Sequence, residues 1–201
     1  MHNELSNFGD ISSASLIKSA DFAEQVGMEG TYVAKCYDKD GNLKWEDKIE
    51  NLVMAVGKQL MLDTLLSGSS YSATVYMGLV SGASTPTYAA TDTQASHAGW
   101  LESGSANAPT YSGTRKTVTF SSATSSGSTP SNVTTKSTSA AANFTFTGSG
   151  TVAGCFININ GSSTIDNTTG TLYSAGSFTG GSKTVASADQ LNVSYSTTAT
   201  S

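Results

Sequence analysis

The sequence predicts a mainly β chain: an antiparallel β-sandwich or jelly-roll-like domain with one packed α-helix. Three observations predict it. Apolar residues alternate with Ser, Thr or Asn in short runs, as in Phe144 and Phe146 or Leu191, Val193 and Tyr195; a period of two is the mark of a half-buried strand. The runs recur roughly every 8–12 residues, with the turn strings TGSG, NGSS and TGGS between them. Only one stretch, Asn51 to Gly68 (NLVMAVGKQLMLDTLLSG), reads as a convincing helix.

That stretch sets the expected architecture, with a helix over about 51–67. Leu52, Val56 and Leu60 fall on one side, and Met54, Met61, Leu62, Leu65 and Leu66 widen the stripe. Asn51 suits an N-cap and Gly68 a left-handed C-terminal residue. A helix this apolar has to be covered, so it is expected at the centre of the core. Leu60→Asp is expected to abolish folding, because it would bury an unpaired charge. The expected core is Leu52, Val56, Leu60, Leu65, Trp100, Phe120, Phe144 and Phe156.

In chain order, residues 1–28 form an arm and residues 29–201 the β-domain. The arm has sparse apolar residues, and Leu16 to Val26 suits a short helix. Leu16, Ile17 and Phe22 are its candidate partner contacts. An arm docked on a neighbouring subunit and a frayed terminus both fit. Gly30 to Lys48 reads as a hairpin turning at Asp38, Asp40, Gly41 and Asn42. The string DKDGN has a faint likeness to a calcium loop, but the glycine is misplaced for an EF-hand. Strands follow at 73–80 and 114–121, where Val118 and Phe120 face one way. Between them Thr91 or Asp92 suits the cap of one helical turn ending at Gly99. Residues 122–132 read as a Ser/Gly/Pro connection. Four more strands cover 142–147, 151–160, 170–178 and 191–197.

Composition narrows the function. Charged residues make up 12% of the 201, about half the usual share. The net charge of −5 argues against nucleic-acid binding through phosphate neutralisation. The charge is lopsided: residues 104–201 hold two acids, Asp166 and Asp189, against 13 in the first 103. From Thr117 to Thr151, 19 of 35 residues are Ser or Thr; such a segment is either disordered or made of strands with a hydroxyl-covered outer face, and its regularly spaced β-branched and aromatic residues favour strands. The N-terminus has no basic or apolar leader, and no apolar run nears the roughly 20 residues that span a bilayer. No membrane association is expected. Cys36 and Cys155 could form one bridge, although buried thiols suit a chain made in the cytosol.

Groups for chemistry are sparse. Asp92, Ser96 and His97 suggest a triad, but neighbours on one turn point apart and share a proton poorly. Glu50, Asp63, Asp92 and Glu102 are the carboxylates available to a glycosidase, and no spacing pairs them. No metal-ligand spacing or phosphate loop occurs. Five Asn-x-Ser/Thr sequons, at Asn132, Asn143, Asn160, Asn167 and Asn192, follow from Ser/Thr abundance. No cofactor, metal or catalytic residue is expected, and the chain reads as a structural protein rather than an enzyme.

Three pieces carry a family resemblance: ENLVMAVGKQLMLDTLLSGSSYSATVYMGLV, TDTQASHAGWLE and YSGTRKTVTF. Together these pieces, from about Glu50 to Gly113 and into the strand that follows, resemble tailed-bacteriophage virion proteins. The resemblance implies a virion component made in the bacterial cytoplasm. Two roles follow from it. A head decoration or cement protein would bind the major capsid protein as a homo-oligomer, dimer or trimer, and bridge capsomers. A tail or receptor-contacting module would meet glycans through hydroxyls and aromatics such as Tyr173 and Tyr195.

Overall fold

The computed structural model describes residues 27–66, 72–126 and 133–200. The arm residues 1–26, with Leu16, Ile17 and Phe22, lie outside the described residues. So do 67–71, including Gly68, and 127–132; the side chain of Leu65 is likewise not described.

The domain is mainly β with one helix. Its strands are β1 (Gly27–Tyr37), β2 (Leu43–Val53), β3 (Val75–Ser81), β4 (Lys116–Val118), β5 (Thr124–Ser126), β6 (Val133–Ser137), β7 (Ala142–Thr145), β8 (Gly150–Ile159), β9 (Thr171–Ser177), β10 (Lys183–Val185) and β11 (Gln190–Thr200). The helix α1 (Ala55–Leu66) follows β2. All the pairings are antiparallel, in the order β4-β3-β8-β9-β2-β1-β11-β6-β5; β10 joins β8 and β7 joins β11. The sheet curls into a half-barrel. Beyond β4 the chain meets the end of β6, with Phe120 paired to Thr138 and Ser121 N–H donating to Ser137 O at 3.0 Å.

The β1–β2 hairpin turns where the sequence places it. The Asp38 carboxylate accepts the amides of Asp40 and Asn42, both at 2.9 Å, and Gly41 takes a φ of 86°. That conformation suits glycine, which has no Cβ to clash. Short β10 was not expected, β5 falls in the expected 122–132 connection, and β6 lies in the Ser/Thr-rich stretch that suited strands without a strand being placed at 133–137. Their outer hydroxyls bond to one another: Ser125 with Thr134 at 2.8 Å, Thr135 with Thr198 at 3.2 Å, and Thr119 with Ser139 at 2.6 Å.

The helix departs most from expectation. It starts at Ala55, because Asn51 to Val53 are drawn into β2. Gly30 pairs with Asn51 on one side, and Leu52 with Ala175 and Val53 with Ser174 on the other. Two ladders outweigh one cap, so Asn51 is no N-cap. The main core consists of strand residues and residues between strands, among them Tyr32, Ile49, Leu79, Phe144, Phe146, Ile157 and Leu191, with none from α1. The helix lies outside, against β9, and Gly57 is what brings it there. A Cβ on Gly57 would stand 2.7 Å from Tyr173 O. Two of its leucines therefore face away: Leu62 is 59% and Leu66 79% exposed.

Of the expected core, Trp100, Phe144 and Phe156 are fully buried. Val56 and Phe120 are partly buried and pack on core clusters. Leu60 is only half-buried, and Leu52, on an outward position of β2, is 38% exposed. The helix decorates the core and does not organise it. Gly27 and Met28, placed in the arm by the sequence, belong to β1.

A second, smaller core lies on the outer face of β3, β8 and β9. There the segment between β3 and β4 lays Trp100 on Phe156, ring centres 5.2 Å apart. Ser81 N–H donates to Leu101 O and Ser103 N–H to Leu79 O, both at 2.8 Å, which ties that segment to the end of β3.

Candidate interaction surface at the open end of the half-barrel

One end of the half-barrel is open. The first residues of β1, β3 and β9 and the last of β8 and β11 meet there. Two adjoining hollows of about 160 and 280 Å³ occupy this end. Val75, Phe120, Ile157, Ile159 and Tyr195 line the first; Met28, Met61, Thr134 and Ala199 line the second. Lys136, Tyr173 and Thr197 belong to both, and Lys136 is the one charged residue in either lining. Its ammonium donates to Ser121 O at 3.0 Å.

The polar atoms at this end are few and mostly occupied. The Tyr173 hydroxyl is 3.2 Å from Thr197 Oγ1 and donates to the sulfur of Met61 at 3.6 Å, which ties α1 to the opening. Burial raises the Tyr173 hydroxyl pKa above its ordinary value. Deeper in, the Tyr195 hydroxyl and the Asn51 side-chain amide are buried side by side, and neither makes a well-aligned hydrogen bond among the described residues. Both sit 2.2 Å from where a Cβ on Gly30 would stand, so only glycine leaves room for them. Tyr32 and Tyr195 pack ring to ring, 4.5 Å apart, and the Tyr32 hydroxyl lies 2.5 Å from Ser174 Oγ. Burial raises the pKa of both these tyrosines. Tyr173 and Tyr195 are 7% and 1% exposed, so neither presents a ring to a glycan.

The carboxylates singled out in the sequence do not converge on a cleft. Glu50 and Asp63 are exposed. Asp92 is buried, accepting Trp100 Nε1–H and the Ala89 amide, each at 3.2 Å. Glu102 is buried as well, against Arg115. Nε donates to Oε1 at 2.8 Å and Nη2 to Oε2 at 2.6 Å. Arg115 also donates to Ser162 O at 3.0 Å and Asn167 O at 2.8 Å, and the Asp166 amide donates to Glu102 at 2.8 Å. This cluster pins the 160–170 loop to the sheet. Its two charges are 13 positions apart in the sequence, and neither hydropathy nor spacing marks them as a pair.

The expected helical turn at Thr91 or Asp92 is instead a tight turn closed between Thr93 and Ser96. His97 stacks on Trp100 at 3.9 Å and its Nδ1 lies 3.2 Å from Trp100 O. Ser96 is exposed and its amide bonds to Thr93 Oγ1. Asp92, Ser96 and His97 thus each serve the fold around Trp100 and form no triad.

Cys36 and Cys155 are free, buried thiols. Burial pushes the Cys36 pKa up to about 11, and that of Cys155 higher still. Among the described residues no cluster of His, Cys, Asp or Glu could hold a metal ion, and no helix is long and apolar enough to cross a membrane.

The chain matches no known protein family, no curated protein and no solved structure.

Proposed function

We propose that this chain is a structural component of a tailed-phage virion, a decoration or cement subunit. It binds the assembled head shell as a homo-oligomer and stabilises it by bridging copies of the major capsid protein. The carrying observation is the division of its surface. One end is apolar: Met61 of α1 lines the open hollow, and Leu62 and Leu66 of the same helix are left in water. The strands β5, β6 and β11 carry hydroxyls bonded to one another. An apolar patch beside a polar coat is the pattern of a surface that docks on one side. The phage-like segments between Glu50 and Phe120 supply the virion setting. A subunit that binds only the assembled shell stabilises it by mass action.

Imaging of intact particles tests the proposal. The expected result is density for this chain in many copies spread over the head lattice. Its confinement to the tail, or its absence from the particle, would overturn the assignment. Purified shells mixed with the protein should resist heat better than bare shells. That gain should shrink with a Leu62→Asp, Leu66→Asp chain, even though neither residue supports the fold.

A further inference from the structure

We propose that Tyr37, Gln190 and Asn192 form a binding site for an uncharged oligosaccharide, on the outer face of the sheet beside the β1–β2 turn. The proposal concerns the lone chain and does not rest on the virion reading.

A cleft of about 440 Å³ lies between that face and the turn. Its size is within the range of small-ligand sites, roughly 300–1,000 Å³. Strand register lays its floor. Tyr37 of β1 stands opposite Gln190 of β11, and Asn192 of β11 stands opposite Asn143 of β7. All four take outward positions, because their neighbours Cys36, Leu191 and Phe144 are buried inside. The wall is the turn from Asp38 to Gly41, fixed by the two amides that the Asp38 carboxylate accepts.

Three features select the ligand. The first is the amides. The Asn143 side-chain nitrogen donates to Asn192 Oδ1 at 2.5 Å and to Gln190 Oε1 at 3.4 Å. That contact occupies the oxygens and holds both side chains in place. The side-chain N–H groups of Gln190 and Asn192 have no partner among the described residues. Two neighbouring amide donors suit adjacent hydroxyls of a sugar ring, whose oxygens accept. Because Asn143 already restrains them, less side-chain freedom is lost on binding.

The second is the ring. Tyr37 is half-buried, and it is the one aromatic residue on the outward positions of β1, β2, β7 and β11. It offers a flat apolar face with a hydroxyl at the edge, which suits the C–H face of a pyranose. The third is charge. The lining holds one cation, Lys39, against Asp38 and Asp40. Lys39 pairs with Asp40 at 2.7 Å. A phosphate, sulfate or sialic acid would find no free cation in the lining, so a neutral sugar fits better.

The place of the cleft on the fold leaves it accessible. Met28, near the start of β1, lines the apolar opening, and Tyr37 ends the strand. At about 3.3 Å per residue, the two lie roughly 30 Å apart. A molecule covered at its apolar end would still present this cleft.

Side-chain amide NMR of the purified full-length protein tests the proposal. The probes are maltohexaose, cellohexaose, chitohexaose and mannohexaose, with 3′-sialyllactose as the charged comparison. At least one neutral sugar should shift the Gln190 and Asn192 side-chain signals saturably. Asn192→Asp keeps the oxygen that Asn143 bonds and removes the donors. It should weaken that binding about tenfold without altering thermal melting. Tyr37→Ala should weaken it by as much, whereas Tyr37→Phe, which keeps the ring, should retain most of it. Sialyllactose should bind about tenfold more weakly than the preferred neutral sugar. No saturable shift with any of the four overturns the proposal. So do shifts that persist unchanged in Asn192→Asp, which would place the sugar elsewhere. Tighter binding of sialyllactose overturns it too.

Discussion

Arg115 meets Glu102 side-on, two parallel bonds at 2.8 and 2.6 Å, with both side chains out of solvent. The guanidinium also lies over the Phe156 ring, 5.4 Å from its centre. A buried pair of this kind adds little net stability over an apolar pair, but it is damaging to break. Glu102→Ala leaves Arg115 charged and buried, and should cost about 3–5 kcal/mol. Replacing both, as Glu102→Leu with Arg115→Met, should recover much of that. Urea denaturation of the single and double variants checks it; a double variant as unstable as Glu102→Ala would refute the account.

Two glycines should rank in a fixed order. A Cβ on Gly154 would stand 1.9 Å from Gly176 O, inside the β8–β9 ladder, where backbone cannot yield. On Gly30 it would meet the ends of two side chains, Asn51 and Tyr195. Both substitutions to Ala overpack, at about 1–3 kcal/mol or more, but Gly154→Ala should be the worse. Thermal melting of the two variants decides it, and the reverse order would show that the β8–β9 spacing is loose.

The helix predicts a graded series. Leu60 is half-buried, whereas Leu62 and Leu66 are 59% and 79% exposed. Leu60→Asp should therefore destabilise the fold without abolishing it. Leu62→Asp and Leu66→Asp should change stability by within about 0.5 kcal/mol, as surface substitutions do. Denaturation midpoints test this, and loss of folding in either exposed variant would mean that α1 is covered in the lone chain.

Asp38 offers a pH readout. The Asn42 side-chain amide, then the Asn42 and Asp40 backbone amides, hold its carboxyl below the ordinary carboxylate range. A lowered folded pKa means that the contribution is present above the unfolded value, about 3.9. It disappears as pH falls through the lower, folded value. The Asp40 and Asn42 amide signals should thus titrate with a midpoint below that of a free Asp. A midpoint at the free value would mean that the turn bonds are not held in solution.

The fold class was legible because alternation survives wherever a strand has one wet face: Phe144, Phe146, Leu191, Val193 and Tyr195 all point inward as their period demands. The hairpin turn was legible because its chemistry is local. The helix misled, since its pattern says apolar without saying against what. Gly57 decided the contact, and a glycine carries no signal in a hydropathy pattern. Strand β5 was hidden in a stretch that reads as a Ser/Gly/Pro connection, and around β6 the Ser/Thr monotony suited strands without marking where one begins. The open end was invisible for a different reason. Met28, Phe120, Lys136, Tyr173 and Ala199 come from separate strands, and only the register of the sheet brings them together.

The hydroxyl pairs across β5, β6 and β11 bear on how this molecule behaves when crowded. A serine or threonine already engaged with its neighbour has less to offer a passing protein. The face stays wettable, yet it gives a stranger few donors to seize. Because β5 is only three residues long, the row of free backbone groups at that margin is too brief to template another sheet. Packed side by side at high density, such molecules would slide past one another on these flanks.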